Sequence, residues 1–81
     1  MQPKSWSSPV RIEMAPGRIR IVGSTLEAAT FLLKDWPSNA EDIAFWARRI
    51  CLEASAGLRP DEDARASFLS ACQDAGVRVV P

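Results

Sequence analysis

The hydrophobic pattern of the first quarter of the chain predicts a β-hairpin. In residues 10–14 and 18–21, apolar side chains alternate with charged ones, a pattern typical of strands with one buried face. The turn is predicted at Ala15-Pro16-Gly17, and Gly23 ends the second strand. Residues 77–80 predict a third strand, because an isolated hairpin is marginally stable in water. We expect the apolar positions to face the core and the arginines to face away from it.

Three helices are predicted between the second and third strands. Residues 24–27 form a capping box that opens helix one, which ends before Trp36-Pro37 because proline disfavours a helical residue before it. Residues 38–41 form a second capping box, and helix two continues to Ala56, with Gly57 as the left-handed residue after it. Helix three begins at residues 60–63 and is closed by Gly76.

The resulting order, β-β-α-α-α-β, predicts an α+β fold. We expect a small three-stranded sheet, antiparallel or mixed, packed on one face by three helices. The third strand pairs beside either the first or the second. A chain of 81 residues has room for one domain, which we place at residues 9–80, after a flexible N-terminal arm at residues 1–8.

Helix two is apolar on two faces. Its predicted core stripe contains the following residues: Ile43, Trp46, Ala47, Ile50, Cys51 and Ala54. Phe45 and Leu52, seven residues apart, lie together on the opposite side with Ala56. Such a helix is either central in the fold or presents one face to a partner. We favour the central position, and the alternative is a dimer interface through Phe45 and Leu52.

Trp36 is the aromatic residue most suggestive of binding, because it lies in a loop between helices. For all six tryptophans and phenylalanines, packing in the core is the competing interpretation.

The composition argues against most enzymatic chemistry. The chain contains no histidine and no tyrosine, so it has no imidazole to act as a base or a zinc ligand. It also lacks the glycine-rich phosphate-binding motifs. We predict neither a catalytic residue nor a cofactor or metal site. The acidic run Asp61-Glu62-Asp63 could ligate a divalent cation, but complementation of the positive end of helix three explains the same residues without a metal, and we favour that interpretation.

Cys51 and Cys72 belong to no CxxC pair. We expect two buried thiols that act as small hydrophobic side chains, with a disulfide or a redox sensor as the alternatives.

Charge is unevenly distributed, although ten basic and ten acidic residues cancel. Four of the basic residues and only one acid lie in the first 23 positions. If the strands pair as predicted, they form an arginine face with the following members: Arg11, Arg18, Arg20 and Arg78. Such a face could bind an anion, an acidic partner or, weakly, nucleic acid, although it lacks aromatic residues to stack bases. A solvated face without a ligand is the alternative.

The sequence shows neither a secretory signal nor an apolar run long enough to cross a membrane. We therefore expect a soluble, cytoplasmic protein with no membrane partner.

Short motifs distributed along residues 8–80 resemble one protein family. They are Pro9-Val10, Thr25, Glu27-Ala28, Trp36-Pro37, Cys51 with Gly57, Ala64-Arg65 with Phe68, and Ala75-Gly76-Val77. In order and spacing they are similar to a family of short bacterial proteins known as domain of unknown function 982. The resemblance implies a small cytoplasmic protein and assigns no activity or catalytic residue. It draws attention to Trp36, Cys51 and Arg65.

Our leading hypothesis is a non-enzymatic interaction module that binds an unidentified protein or a second copy of itself. The alternative is a weak nucleic-acid or anion binder that uses the arginine face.

Overall fold

The order of elements along the chain is the one predicted. The computed structural model describes residues 5–81. Its elements are β1 (Val10–Ala15), β2 (Arg18–Val22), α1 (Thr25–Lys34), a 3₁₀ turn (Ser38–Ala40), α2 (Glu41–Ser55), α3 (Asp61–Ala75) and β3 (Arg78–Val80). The predicted α+β fold is therefore confirmed.

The three strands form one antiparallel sheet in the order β2-β1-β3. The third strand thus pairs beside β1, a choice that the sequence left open. Glu13 lies opposite Ile19, but Ala15 lies opposite Arg18, so Met14 is an extra residue on β1. Such a β-bulge bends the strand and increases its local twist. The hairpin turn follows at Pro16-Gly17, where Gly17 adopts a φ of 80° that other residues rarely reach.

Of the two predicted capping boxes, only the first forms. The Ser24 hydroxyl accepts a hydrogen bond from the Glu27 N–H at 3.1 Å, and the Glu27 carboxylate accepts one from the Gly23 N–H at 2.8 Å. Ser38 does not cap α2. It lies in the 3₁₀ turn, where the Ala40 N–H donates to the Pro37 carbonyl at 3.1 Å. The prediction of a second capping box is wrong, because this local backbone turn takes the place of a side-chain cap.

A row of four aromatic rings crosses the core. The Phe68 ring lies 6.1 Å from Trp6 and 5.9 Å from Phe31, and Phe31 meets Trp36 edge-to-face at 6.0 Å, all between centroids. These separations are typical of favourable aromatic pairs. The sheet contributes three residues to the same core, namely Val10, Ile12 and Val22.

The predicted flexible arm is wrong at Trp6, which is only 7% exposed. The Trp6 backbone N–H donates to the Gly23 carbonyl at 2.7 Å, and its indole N–H donates to the Thr25 hydroxyl at 3.1 Å. The Arg65 Nε–H donates to the Ser8 carbonyl at 2.7 Å. Burial of a large side chain with its polar group satisfied offsets the entropy lost when so short a segment is ordered. Residues 1–4 of the predicted arm lie outside the described residues.

Helix α2 packs against both α1 and α3, as expected of a central helix. It uses only one side for these contacts, however, and the residues buried there are Ala44, Ala47, Cys51 and Ala54. Its other side faces solvent.

Candidate functional site

Three large apolar side chains of α2 are exposed to solvent. Phe45 is 50% exposed, Trp46 62% and Leu52 59%. The rings of Phe45 and Trp46 meet edge-to-face, with centroids 5.5 Å apart. We refer to Phe45, Trp46 and Leu52 as the α2 patch. Exposed aromatic side chains that contact each other on a small domain are a common mark of an interaction surface.

The position of Trp46 corrects the predicted core stripe of α2. That stripe placed Trp46 with Ala47 and Cys51, but the helix turns its alanines and Cys51 towards the core and leaves Trp46 outside. Small side chains let α1 and α3 approach α2 closely, and the surface that these two helices cover is narrower than the apolar arc of α2. Phe45 and Leu52 lie on the side opposite the core, as expected.

Charged side chains surround the α2 patch. Glu41 and Asp42 occupy the first turn of α2, where negative charge complements the helix dipole. Arg48 and Arg49 follow the two aromatic residues. The Arg49 guanidinium lies over the Trp46 ring at 5.9 Å and its Nε is 3.5 Å from Glu53.

Trp36 borders the α2 patch but is itself partly buried. With Leu33, Phe45 and Arg48, it lines a groove of about 550 Å³ between the end of α1 and the start of α2. Its indole N–H donates to the Ala40 carbonyl at 2.7 Å. Trp36 therefore holds the α1–α2 connection in place and offers only part of its ring to a partner.

The four predicted arginines do not share one face of the sheet. Directly opposite residues of an antiparallel pair lie on the same face, and Arg20 lies opposite Ile12, which is fully buried. Arg20 therefore belongs to the helix-covered face. There its guanidinium lies over the Phe31 ring at 4.9 Å and pairs with Asp35 at the end of α1.

Arg18 is on the same side of β2 as Arg20, two residues away. The outer face of the sheet carries only Arg11 and Arg78 of the predicted set, and Arg78 pairs with Glu13 at 3.3 Å. Ile19 and Ile21, which the alternation assigned to the core, lie on the outer face as well and are half-exposed. The predicted arginine face is therefore wrong, because the helices cover the arginine side of β2.

A second groove, of about 720 Å³, separates α2 from α3 and was not predicted. Trp46 and Ile50 form one wall, and Ser67 and Ser70 lie on the α3 side. The signal that could have indicated it is the set of small residues on α3, which leaves space beside the larger side chains of α2 at the surface.

The acidic run at the start of α3 is engaged by neighbouring side chains. Asp61 accepts a hydrogen bond from the Thr25 hydroxyl at 2.8 Å, and Asp63 lies 3.5 Å from Arg59. Within residues 5–81, no three carboxylate or thiol groups lie close enough together to hold a metal ion. The run at this position fits complementation of the helix dipole.

Both cysteines are buried and unbridged, as expected. Burial raises the pKa of the Cys51 and Cys72 thiols from 9.0 to about 11, because an apolar environment disfavours the thiolate. Since the thiolate is the nucleophilic form, both thiols are poorly reactive at neutral pH.

In the part of the chain that the structure describes, no helix has the length and apolar character needed to cross a bilayer.

The fold and these surfaces define a small α+β domain with a three-stranded antiparallel sheet on three helices. The chain belongs to the family described as "Protein of unknown function (DUF982)", whose model matches residues 8–79. The resemblance seen in the sequence is thus confirmed. No match to the chain was found among curated proteins or among solved structures.

Proposed function

We propose that this protein is a non-enzymatic interaction module that docks to another protein chain through the α2 patch. The observation that carries the proposal is the mutual contact of two exposed aromatic rings, Phe45 and Trp46, on a helix whose other side is already packed. An aromatic pair of this kind loses little side-chain entropy on binding and contributes a large apolar area.

The surroundings of the α2 patch support this assignment. Arg49 stacks on Trp46, and arginine and tryptophan are among the residues that dominate binding energy at protein interfaces. The groove beside Phe45, with Leu33 as one wall, extends the apolar surface from α2 to α1. Charged residues at both ends of the α2 patch supply the polar rim that protein interfaces commonly have.

The non-enzymatic part of the proposal is supported by the side chains that remain for catalysis. The sequence contains no histidine, and both cysteines are held as neutral thiols by burial. Asp61 and Asp63 are occupied by Thr25 and Arg59. Neither cysteine has the lowered pKa that an activated nucleophile requires.

Anion or nucleic-acid binding has less support. A phosphate backbone is bound by several cations on one surface, whereas Arg20 and Arg78 lie on opposite faces and each pairs with a carboxylate.

Site-specific photo-crosslinking in the cells that make the protein tests the proposal. A photoreactive amino acid at position 45 should give a covalent adduct with a protein chain. The same amino acid at position 58 is the matched control, because Leu58 is exposed but lies beyond the end of α2. Adduct formation at position 45 alone supports docking through the α2 patch. No protein adduct at position 45, or equal adducts at both positions, would refute it.

A further inference from the structure

The charges of α2 are arranged symmetrically about Phe45. Glu41 and Asp42 precede Phe45 by four and three residues, and Arg48 and Arg49 follow it by three and four. The helix therefore presents an acidic turn, an aromatic residue and a basic turn in succession on its exposed side.

From this arrangement we infer that the partner of the α2 patch is a second copy of this chain. The two α2 helices pack antiparallel, with a twofold axis passing by Phe45. The inference rests on the proposed function and names the partner of the same surface. A twofold interface uses one surface patch on both subunits, so the patch must be complementary to itself. A helix that carries acidic residues, an aromatic residue and basic residues in that order is complementary to a second copy of itself that runs in the opposite direction.

The helical positions of the charges also agree with this packing. At about 100° per residue, Glu41 and Arg49 lie roughly 40° to opposite sides of Phe45, and Asp42 and Arg48 roughly 60°. A twofold axis perpendicular to both helices reverses the direction along the helix and keeps each side chain on the same side of the interface. Asp42 and Arg49 lie on one side of Phe45, and Glu41 and Arg48 lie on the other. The axis therefore places Asp42 beside Arg49 of the second copy, and Glu41 beside Arg48 of the second copy. Four ion pairs then flank the Phe45 rings.

The charges are available for these contacts. Glu41 and Asp42 are exposed, and neither forms a salt bridge within residues 5–81. Arg48 likewise forms none within the described range. Arg49 approaches Glu53 at 3.5 Å on an exposed surface, a type of contact that contributes little to stability. Dimerisation would exchange it for a contact with Asp42 of the second copy.

An alternative antiparallel register is electrostatically unfavourable. If Phe45 faced Leu52 of the second copy, the axis would pass between Arg48 and Arg49, and the four arginines of the dimer would meet at its centre. Like charges placed opposite each other discriminate strongly against such a pairing. In the favoured register Leu52 lies two turns from the axis, at the edge of the interface.

Two single charge reversals test the inference. Glu41→Arg places two arginines opposite each other at both ends of the homodimer, and Arg48→Glu places two glutamates there. Each variant alone should self-associate at least about tenfold more weakly than the wild type in sedimentation equilibrium. An equimolar mixture of the two restores opposite charges at both contacts. It should form a mixed dimer, seen by native mass spectrometry, with an affinity within about threefold of the wild type.

Glu62→Arg is the matched control, because Glu62 is an exposed acid in the first turn of α3. It should change the helix dipole interaction equally and leave self-association unchanged. Far-UV circular dichroism checks that each variant is folded. If Glu41→Arg fails to fold, the pair Asp42→Arg and Arg49→Glu tests the same register.

A wild type that stays monomeric at high micromolar concentration would overturn the inference. A mixture that associates no better than the separate variants would also overturn it. The crosslinking experiment separates this failure from failure of the proposed function. An adduct between position 45 and a different protein keeps the interaction module and rejects the second copy, whereas no adduct rejects both.

Discussion

Replacement of Trp6 by alanine should remove a large share of the stability of the domain. Trp6 is 7% exposed, packs on Phe68 and donates its indole N–H to Thr25. Truncation of a buried tryptophan costs about 3–5 kcal/mol, through lost burial and the cavity left behind. A domain of 81 residues has a free energy of unfolding of about 4–12 kcal/mol. Trp6→Ala should therefore leave the domain marginally folded.

Trp46→Ala is the control, because it makes the same substitution at another of the three tryptophans. Trp46 is 62% exposed, and its contacts with Phe45 and Arg49 contribute about 1 kcal/mol or less to stability at a surface. The assay is urea denaturation followed by far-UV circular dichroism, at a protein concentration low enough to keep the chain monomeric. With an m-value of about 1–3 kcal/mol per molar urea, Trp6→Ala should lower the midpoint by at least about 1 M.

Equal midpoints for the two variants would refute the reasoning. A loss below about 1 kcal/mol for Trp6→Ala would also do so, since that is the range of surface substitutions. Either result would mean that the segment before β1 is not held against the core in solution.

Two further predictions concern buried thiols and a helix cap. Below pH 9 the raised pKa of Cys51 and Cys72 lowers their thiolate fraction about 100-fold relative to an exposed thiol. Alkylation of the native protein should therefore be slow, and it should accelerate when denaturant is added. Because the folded-state pKa is the higher one, the effect of the two thiols on stability should be absent below about pH 9 and should lower stability towards pH 11 as unfolded thiols ionise. Cys51→Ala and Cys72→Ala together should flatten that fall in urea midpoints, and an unchanged profile would contradict this prediction. Ser24→Ala removes the N-cap of α1 and should lower the free energy of unfolding by about 1 kcal/mol. Ser38→Ala is the control and should leave stability almost unchanged, because Ser38 lies in the turn where no serine cap forms. Equal losses of stability in thermal unfolding would show that the cap assignment is wrong.

Local signals in the sequence predicted most of the fold. The turn at Pro16-Gly17, the capping box at Ser24 and the left-handed residues Gly57 and Gly76 each act within a few positions of the chain. Their energies hardly depend on distant contacts. Elements and their order were therefore predictable. The box at Ser38 failed for a local reason too, since residues 38–40 form a 3₁₀ turn in which the Ala40 N–H donates to the Pro37 carbonyl.

Local signals could not predict which face of β2 packs against the helices. Alternation shows which residues share a face but not which face the helices cover. The general rule that apolar residues face the core failed here, because Arg20 finds both an aromatic ring and a carboxylate on the helix side. Phe31 lies in α1 and Asp35 directly follows that helix, so their contacts with Arg20 depend on how α1 packs on the sheet.

The candidate site was predicted in part. Phe45 and Leu52 were assigned to the side of α2 opposite the core, and they lie there. Trp46 was missed because it lies at the margin of the apolar arc, where a small rotation of the helix decides between core and solvent. Trp6 was missed because its partners, Gly23 and Thr25, are distant in sequence.

The six buried alanines of the core have a consequence for how this domain tolerates mutation. They are Ala28, Ala44, Ala47, Ala54, Ala64 and Ala71. At these positions there is almost no side chain to lose. Ala28 and Ala64 are fully buried, and enlargement of a side chain in a close-packed interior commonly costs about 1–3 kcal/mol. The core of this domain is therefore constrained mainly by an upper limit on side-chain volume, and its most restricted positions are its smallest residues.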